Sequence, residues 1–118
     1  MRLTKNFNSS EIECPCCKGL VYDQTALDRL QILRTKIGKP FIINSGYRCR
    51  FHNDAIGGSK DSRHLYGSAF DISTKGWNGF EMWDMINEAM HGGFSCIIYS
   101  NWLHLDLRFG KPIMLRGK

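Results

Sequence analysis

No stretch of about 20 consecutive apolar residues occurs in this 118-residue chain, so no segment reads as a membrane-spanning helix. The opening residues, Met1 to Cys14, hold no apolar run of signal-peptide length. The sequence therefore predicts synthesis and retention in the cytoplasm, unless another system carries the chain out. Basic residues form no continuous block; the densest stretch holds Arg34, Lys36 and Lys39. No nucleic-acid-binding module is recognisable, so the net charge of +5 reads as a solvated basic surface that suits an anionic partner. Linkers, repeats and low-complexity segments are absent as well. The cysteine count is odd, with Cys14, Cys16, Cys17, Cys49 and Cys96, which argues against a disulfide framework in a chain without a leader.

What is present suits one packed domain over residues 1–118, expected as a monomer. Apolar residues make up 42% and charged residues 23%, which excludes disorder. Twelve glycines point to tight turns rather than an all-helical bundle.

Hydrophobic spacing gives a coarse element order. Thr25 can cap a first helix whose face is Ala26, Leu30, Leu33 and Ile37, with Gly38 and Pro40 as the stop. Phe41 to Ile43 suits a buried strand ending at Ser45-Gly46-Tyr47-Arg48. Residues 49–63 are polar and rich in turn formers, so they read as a long loop with room for one helical turn. Gly67 to Ile72 suits a second strand. Asn78 and Glu81 form a capping-box pattern for a second helix with Trp83, Ile86, Ala89 and Met90 inside, ended by Gly92-Gly93. Phe94 to Tyr99 and Leu103 to Phe109 look like a hairpin turning at Ser100-Asn101. The predicted class is α+β, with a mainly antiparallel sheet and two principal helices.

Two segments carry chemistry. In Ser62-Arg63-His64-Leu65-Tyr66-Gly67-Ser68-Ala69-Phe70-Asp71, a glycine and small residues let the chain turn between an imidazole and a carboxylate. In Trp102 to Arg108, strand alternation sends His104, Asp106 and Arg108 to one face and Leu103, Leu105 and Leu107 to the core. Two imidazoles and one carboxylate make a three-ligand set for catalytic zinc, with a fourth position open; other first-row metals suit it too. Bound water is then acidified toward a nucleophile for amide hydrolysis. Any one of these histidines taken alone is more often a satisfied structural residue than a ligand.

The segments Ser45-Gly46-Tyr47-Arg48, Ser62 to Asp71 and His104-Leu105-Asp106 closely resemble the zinc D-alanyl-D-alanine carboxypeptidase and L-alanyl-D-glutamate peptidase family. That family shares its core fold with the hedgehog signalling domain. Its pattern Ser-x-His-x-x-Gly-x-Ala-x-Asp is met at Ser62, His64, Gly67, Ala69 and Asp71. The order of the motifs, with His52-Asn53 and Gly57-Gly58 between them, resembles the short, phage-associated branch. The likeness runs over residues 3–109.

The resemblance implies zinc ligands at His64, Asp71 and His104. It implies that Arg48 holds a carboxylate or polarises a carbonyl of the peptide, a task that suits a guanidinium fork, although an arginine paired within the protein is the alternative. Ser62 either contacts substrate or stabilises its loop, and Trp102 either lines the groove or joins the core. Many family members carry an acidic general base three residues before the late histidine; here that position is Asn101. Asp106 is the nearest substitute, or else a carboxylate that orients His104 or pairs with Arg108. The implied activity is hydrolysis of an amide bond in the peptidoglycan stem peptide, carboxypeptidase or endopeptidase, in an endolysin-like context at the bacterial wall. The alternative is a zinc-containing wall-binding or phage structural module with little turnover.

The cysteines are read separately. Cys14, Cys17, Cys49 and His52 could form a structural zinc site; reduced thiols or a Cys14–Cys49 bridge are the alternatives. Cys96 reads as core. Trp77 could line a groove, Trp83 reads as core, and His91 as a charge favourable to a helix C-terminus.

Overall fold

The computed structural model describes residues 1–108 and 110–117; the expected strand end at Phe109 lies outside them. Among the described residues four helices and five strands follow one another: α1 (Ser9–Ile12), α2 (Gln24–Ile37), β1 (Ile43–Ser45), α3 (Arg50–Ala55), a 3₁₀ turn (Arg63–Tyr66), β2 (Ala69–Ser73), α4 (Gly79–His91), β3 (Ser95–Ile98), β4 (Trp102–Asp106) and β5 (Met114–Arg116). No helix among the described residues is long and apolar enough to cross a membrane.

The strands form one sheet in the order β1-β2-β4-β3-β5. Pairing is antiparallel except between β3 and β5, so the expected α+β class with a mainly antiparallel sheet holds. Alternation along the central strands divides the sheet into two faces. Phe70, Ile72, Cys96, Leu103 and Leu105 enter the core, which is completed by Ala26, Leu27, Leu30 and Leu33 of α2 and Met85, Ile86 and Ala89 of α4. Asp71, Ile97, Trp102, His104 and Asp106 look the other way and line a cleft. The two long helices thus give β2 and β4 a rigid backing, and the polar residues on those strands lie on the cleft side of the sheet.

Local chemistry sets the element ends. The cap of α2 is Asp23 rather than Thr25: its carboxylate accepts from the backbone N–H groups of Thr25 and Ala26. Asn78 and Glu81 form the reciprocal capping box expected for α4. The buried strand expected at Phe41 to Ile43 is shifted: β1 begins at Ile43, and Ile42 is 68% exposed because β1 is an edge strand. Trp83, expected in the core, is 60% exposed; Met85 occupies the buried position on α4. Helix α1 and strand β5 have no counterpart in the sequence reading.

Candidate metal centre

The site begins with the turn between residues 62 and 71. The Ser62 hydroxyl accepts from the His64 N–H at 3.3 Å and starts the 3₁₀ turn. Gly67 closes it with φ +69°, in the left-handed region. A Cβ at Gly67 would also collide with the Val21 carbonyl and the Tyr22 backbone, so the motif glycine satisfies both the turn and a close chain crossing. The chain then enters β2, which brings Asp71 into direct register with His104 on β4. Strand pairing therefore makes the Asp–His contact, and the 3₁₀ turn swings His64 in beside it.

The three side chains meet. The Asp71 Oδ1 lies 3.2 Å from His64 Nε2 and 2.8 Å from His104 Nδ1. Their facing atoms all lie within 4.8 Å of one another. Outer contacts set the tautomers. His64 Nδ1 is 2.6 Å from the Gly46 carbonyl oxygen, which can only accept, so Nδ1 carries the hydrogen and Nε2 offers its lone pair. His104 Nε2 donates to Asp106 Oδ2 at 2.8 Å, which leaves Nδ1 as the inward lone pair of the neutral ring. Two imidazole lone pairs and a carboxylate oxygen thus point at one another. Such a triad is repulsive unless a cation lies between the atoms, so the donor set itself fits a metal ion.

The titration behaviour agrees. Burial pushes the Asp71 carboxyl up, but its contacts with the His104 and His64 rings outweigh it and hold it well below the usual range. Burial pushes His104 down, but its bonds to Asp106 and Asp71 more than offset this and raise it to about 9. In the metal-free protein a proton on His104 therefore takes the cation's place.

Arg48 stands beside this centre. Its guanidinium donates to Ser45 Oγ at 3.0 Å, Asn53 Oδ1 at 3.4 Å and Asp71 Oδ2 at 3.3 Å. It is held within the protein and also lines the cleft. Burial lowers its pKa, opposed by the charge of Asp71. The holder Asn53 is fully buried, donates to the Ser59 carbonyl oxygen, and packs so tightly on Gly58 that a Cβ there would overlap its carboxamide. Asn53 and Gly58, one residue from each of the His52-Asn53 and Gly57-Gly58 pairs seen in the sequence, thus serve to place the arginine.

Asp106 does not face the cleft's reacting side with a free oxygen. Arg108 grips both of its oxygens, at 2.7 and 2.6 Å, while His104 binds the second. It is 1% exposed, and although burial pushes its carboxyl up, the bonds from Arg108 and His104 bring it to about 2. Asn101 sits exposed in the β3–β4 turn, outside the cleft lining. Trp102 does line the cleft, stacked on Tyr99 with ring centroids 4.3 Å apart. Trp77 instead packs against Phe41, beneath Lys39. Asp61, an exposed carboxylate of the cleft rim, was not singled out by the sequence reading; it follows the glycine pair and carries no motif of its own.

A cleft of about 550 Å³ thus holds two imidazoles and a carboxylate around one point, with an arginine and an aromatic wall beside them. This is the donor set of a mononuclear metallohydrolase, in which the protein supplies three ligands and leaves the last position open. The sequence model of the Peptidase M15 family matches residues 5–106, and the chain belongs to that family. A 53-residue stretch, 44% of the chain, is 42% identical to the zinc D-Ala-D-Ala carboxypeptidase of Streptomyces albus G. The match covers 20% of that protein's length.

Proposed function

We propose that this chain is a zinc peptidase that hydrolyses an amide bond in the stem peptide of bacterial peptidoglycan, as a carboxypeptidase or an endopeptidase. The observation that carries the reading is the convergence of His64 Nε2, Asp71 Oδ1 and His104 Nδ1 beside the Arg48 guanidinium in one cleft. The similarity to a zinc D-Ala-D-Ala carboxypeptidase supports both the metal and the substrate class.

His64, Asp71 and His104 would hold the ion. When bound, zinc supplies Lewis acidity, which polarises a carbonyl and acidifies water. Arg48 anchors a substrate carboxylate or carbonyl oxygen by charge-assisted hydrogen bonds, held ready by Ser45 and Asn53. Trp102 and Tyr99 flank the peptide as a flat wall. Ser62 shapes the turn that presents His64.

Asp106 acts as a positioning residue. Both of its oxygens are engaged and its carboxyl lies near 2, so it is a poor acceptor for a water proton. Its work is to fix the His104 ring and tautomer. Asp106→Asn should weaken zinc binding by roughly 10- to 100-fold, the usual loss for such an outer partner. Competition titration against a chromophoric chelator measures it, and unchanged affinity would remove Asp106 from this role. Among the described lining residues Asp61 is the remaining carboxylate, exposed and outside any ion pair, and it is the candidate proton acceptor.

The deciding experiment is digestion of purified peptidoglycan, with mass spectrometry of the products. New amino termini or free D-alanine are expected, lost on chelation and restored by zinc. Activity indifferent to chelator would defeat the mechanism. Stable wall binding without any released product would instead favour a module that holds its ion but does not turn over.

A further inference from the structure

Cys49, next in the chain after Arg48, belongs to a second cluster. Cys14, Cys16, Cys17 and Cys49 place their sulfurs within 4.8 Å of one another. The Cys14–Cys16 and Cys16–Cys49 sulfurs are 3.6 and 3.4 Å apart. A disulfide needs about 2.05 Å. A tetrahedron with zinc–sulfur bonds of about 2.3 Å has edges of about 3.8 Å, close to these separations. All five cysteines are free thiols here, so the Cys14–Cys49 bridge, one of the alternatives to a zinc site, is not formed. His52, expected as the fourth member, is absent from the cluster. It contributes only its backbone N–H, which donates to Cys49 Sγ, while Cys16 fills the fourth corner.

The surrounding backbone is arranged for thiolates. N–H groups of Gly19, Cys49 and His52 donate to the sulfurs of Cys17, Cys14 and Cys49. Residues 14–19 close on themselves through Lys18 N–H to Cys14 O and Cys14 N–H to Gly19 O, both 2.8 Å. Closing that knuckle puts Lys18 at φ +59°, a left-handed conformation that a lysine adopts only at a cost.

We infer that Cys14, Cys16, Cys17 and Cys49 bind one tetrahedral divalent metal ion, zinc, as a structural site separate from the cleft. Four thiolates in a tetrahedron are the donor set of structural zinc.

The consequence falls on the cleft. Cys49 directly follows Arg48 and caps α3, and α3 carries Asn53, which holds the guanidinium. The ion ties the 14–19 knuckle to that junction, so it is a clamp that steadies the arginine.

Elemental analysis of the purified protein tests this. Two zinc equivalents per chain are expected. Cys16→Ser with Cys17→Ser should leave one; these two are exposed, so little packing is lost. His64→Ala with His104→Ala should also leave one, which separates this site from the proposed catalytic one. If the cysteine variant fails to fold, cobalt exchange into the natural protein still decides. Intense sulfur-to-cobalt charge-transfer bands are expected in the near ultraviolet. Their absence, a disulfide among the four cysteines in protein purified under reducing conditions, iron in place of zinc, or a single equivalent lost only in the histidine variant would each overturn the assignment.

Discussion

Replacing His64 or His104 by alanine should strip the cleft of most of its zinc and abolish chelator-sensitive hydrolysis. Both imidazoles are pre-aimed: Gly46 O fixes one and Asp106 the other, so neither ring needs to search for its orientation. Removing one of three protein ligands exceeds the loss of an outer partner, which itself costs about 10- to 100-fold in affinity. The effect should appear in both elemental analysis and wall digestion. Binding should also depend on pH, because the proton on His104, held up to about 9, competes with the ion. Uptake by metal-free protein therefore releases protons, and affinity rises as pH climbs toward 9. Unchanged cleft zinc in either variant would refute the ligand assignment.

Gly67→Ala should be the most damaging conservative substitution away from the ligands. The backbone there is left-handed, at φ +69°, and the new methyl would run into the Val21 carbonyl and Tyr22 Cα. Strain at such a position and forced overpacking cost about 1–3 kcal/mol each. Backbone on both sides of the collision offers no flexible side chain to yield. Against a total stability of about 5–15 kcal/mol, the loss is large. A fall in Tm of roughly 10 °C or more is expected by calorimetry. A Tm within a degree or two of the natural protein would mean that the crossing of residues 21–22 over the turn is loose.

Much of this could be seen in the residues themselves. Alternation along Trp102 to Arg108 assigned His104 and Asp106 to one face and the leucines to the other, and the sheet keeps both assignments. The Asn78–Glu81 pair announced α4 because capping is a local event. Long-range events were less visible. Strand β5 is exposed at all three residues, so it has no burial rhythm to detect, and only its parallel pairing with β3 defines it. Spacing links Cys14 to Cys17 and Cys49 to His52, so His52 reads as the fourth member of the cluster, whereas the fold of the knuckle turns Cys16 toward Cys49. Trp83 sits one helical step from the buried stripe, and a periodicity argument cannot separate adjacent faces that finely.

One contact pattern near the cleft has a wider effect. Gly46 O receives the His64 ring, and the Arg48 N–H donates to the His64 carbonyl oxygen at 3.1 Å. The two bonds lace the anchoring arm and the imidazole loop together, so neither can slide along the other. The span from guanidinium to metal pocket then behaves as a rigid calliper. On the proposed peptidase reading, peptides would be sorted by how far their charged end stands from the bond to be cut, an ill-sized one being rejected by distance rather than by missing contacts.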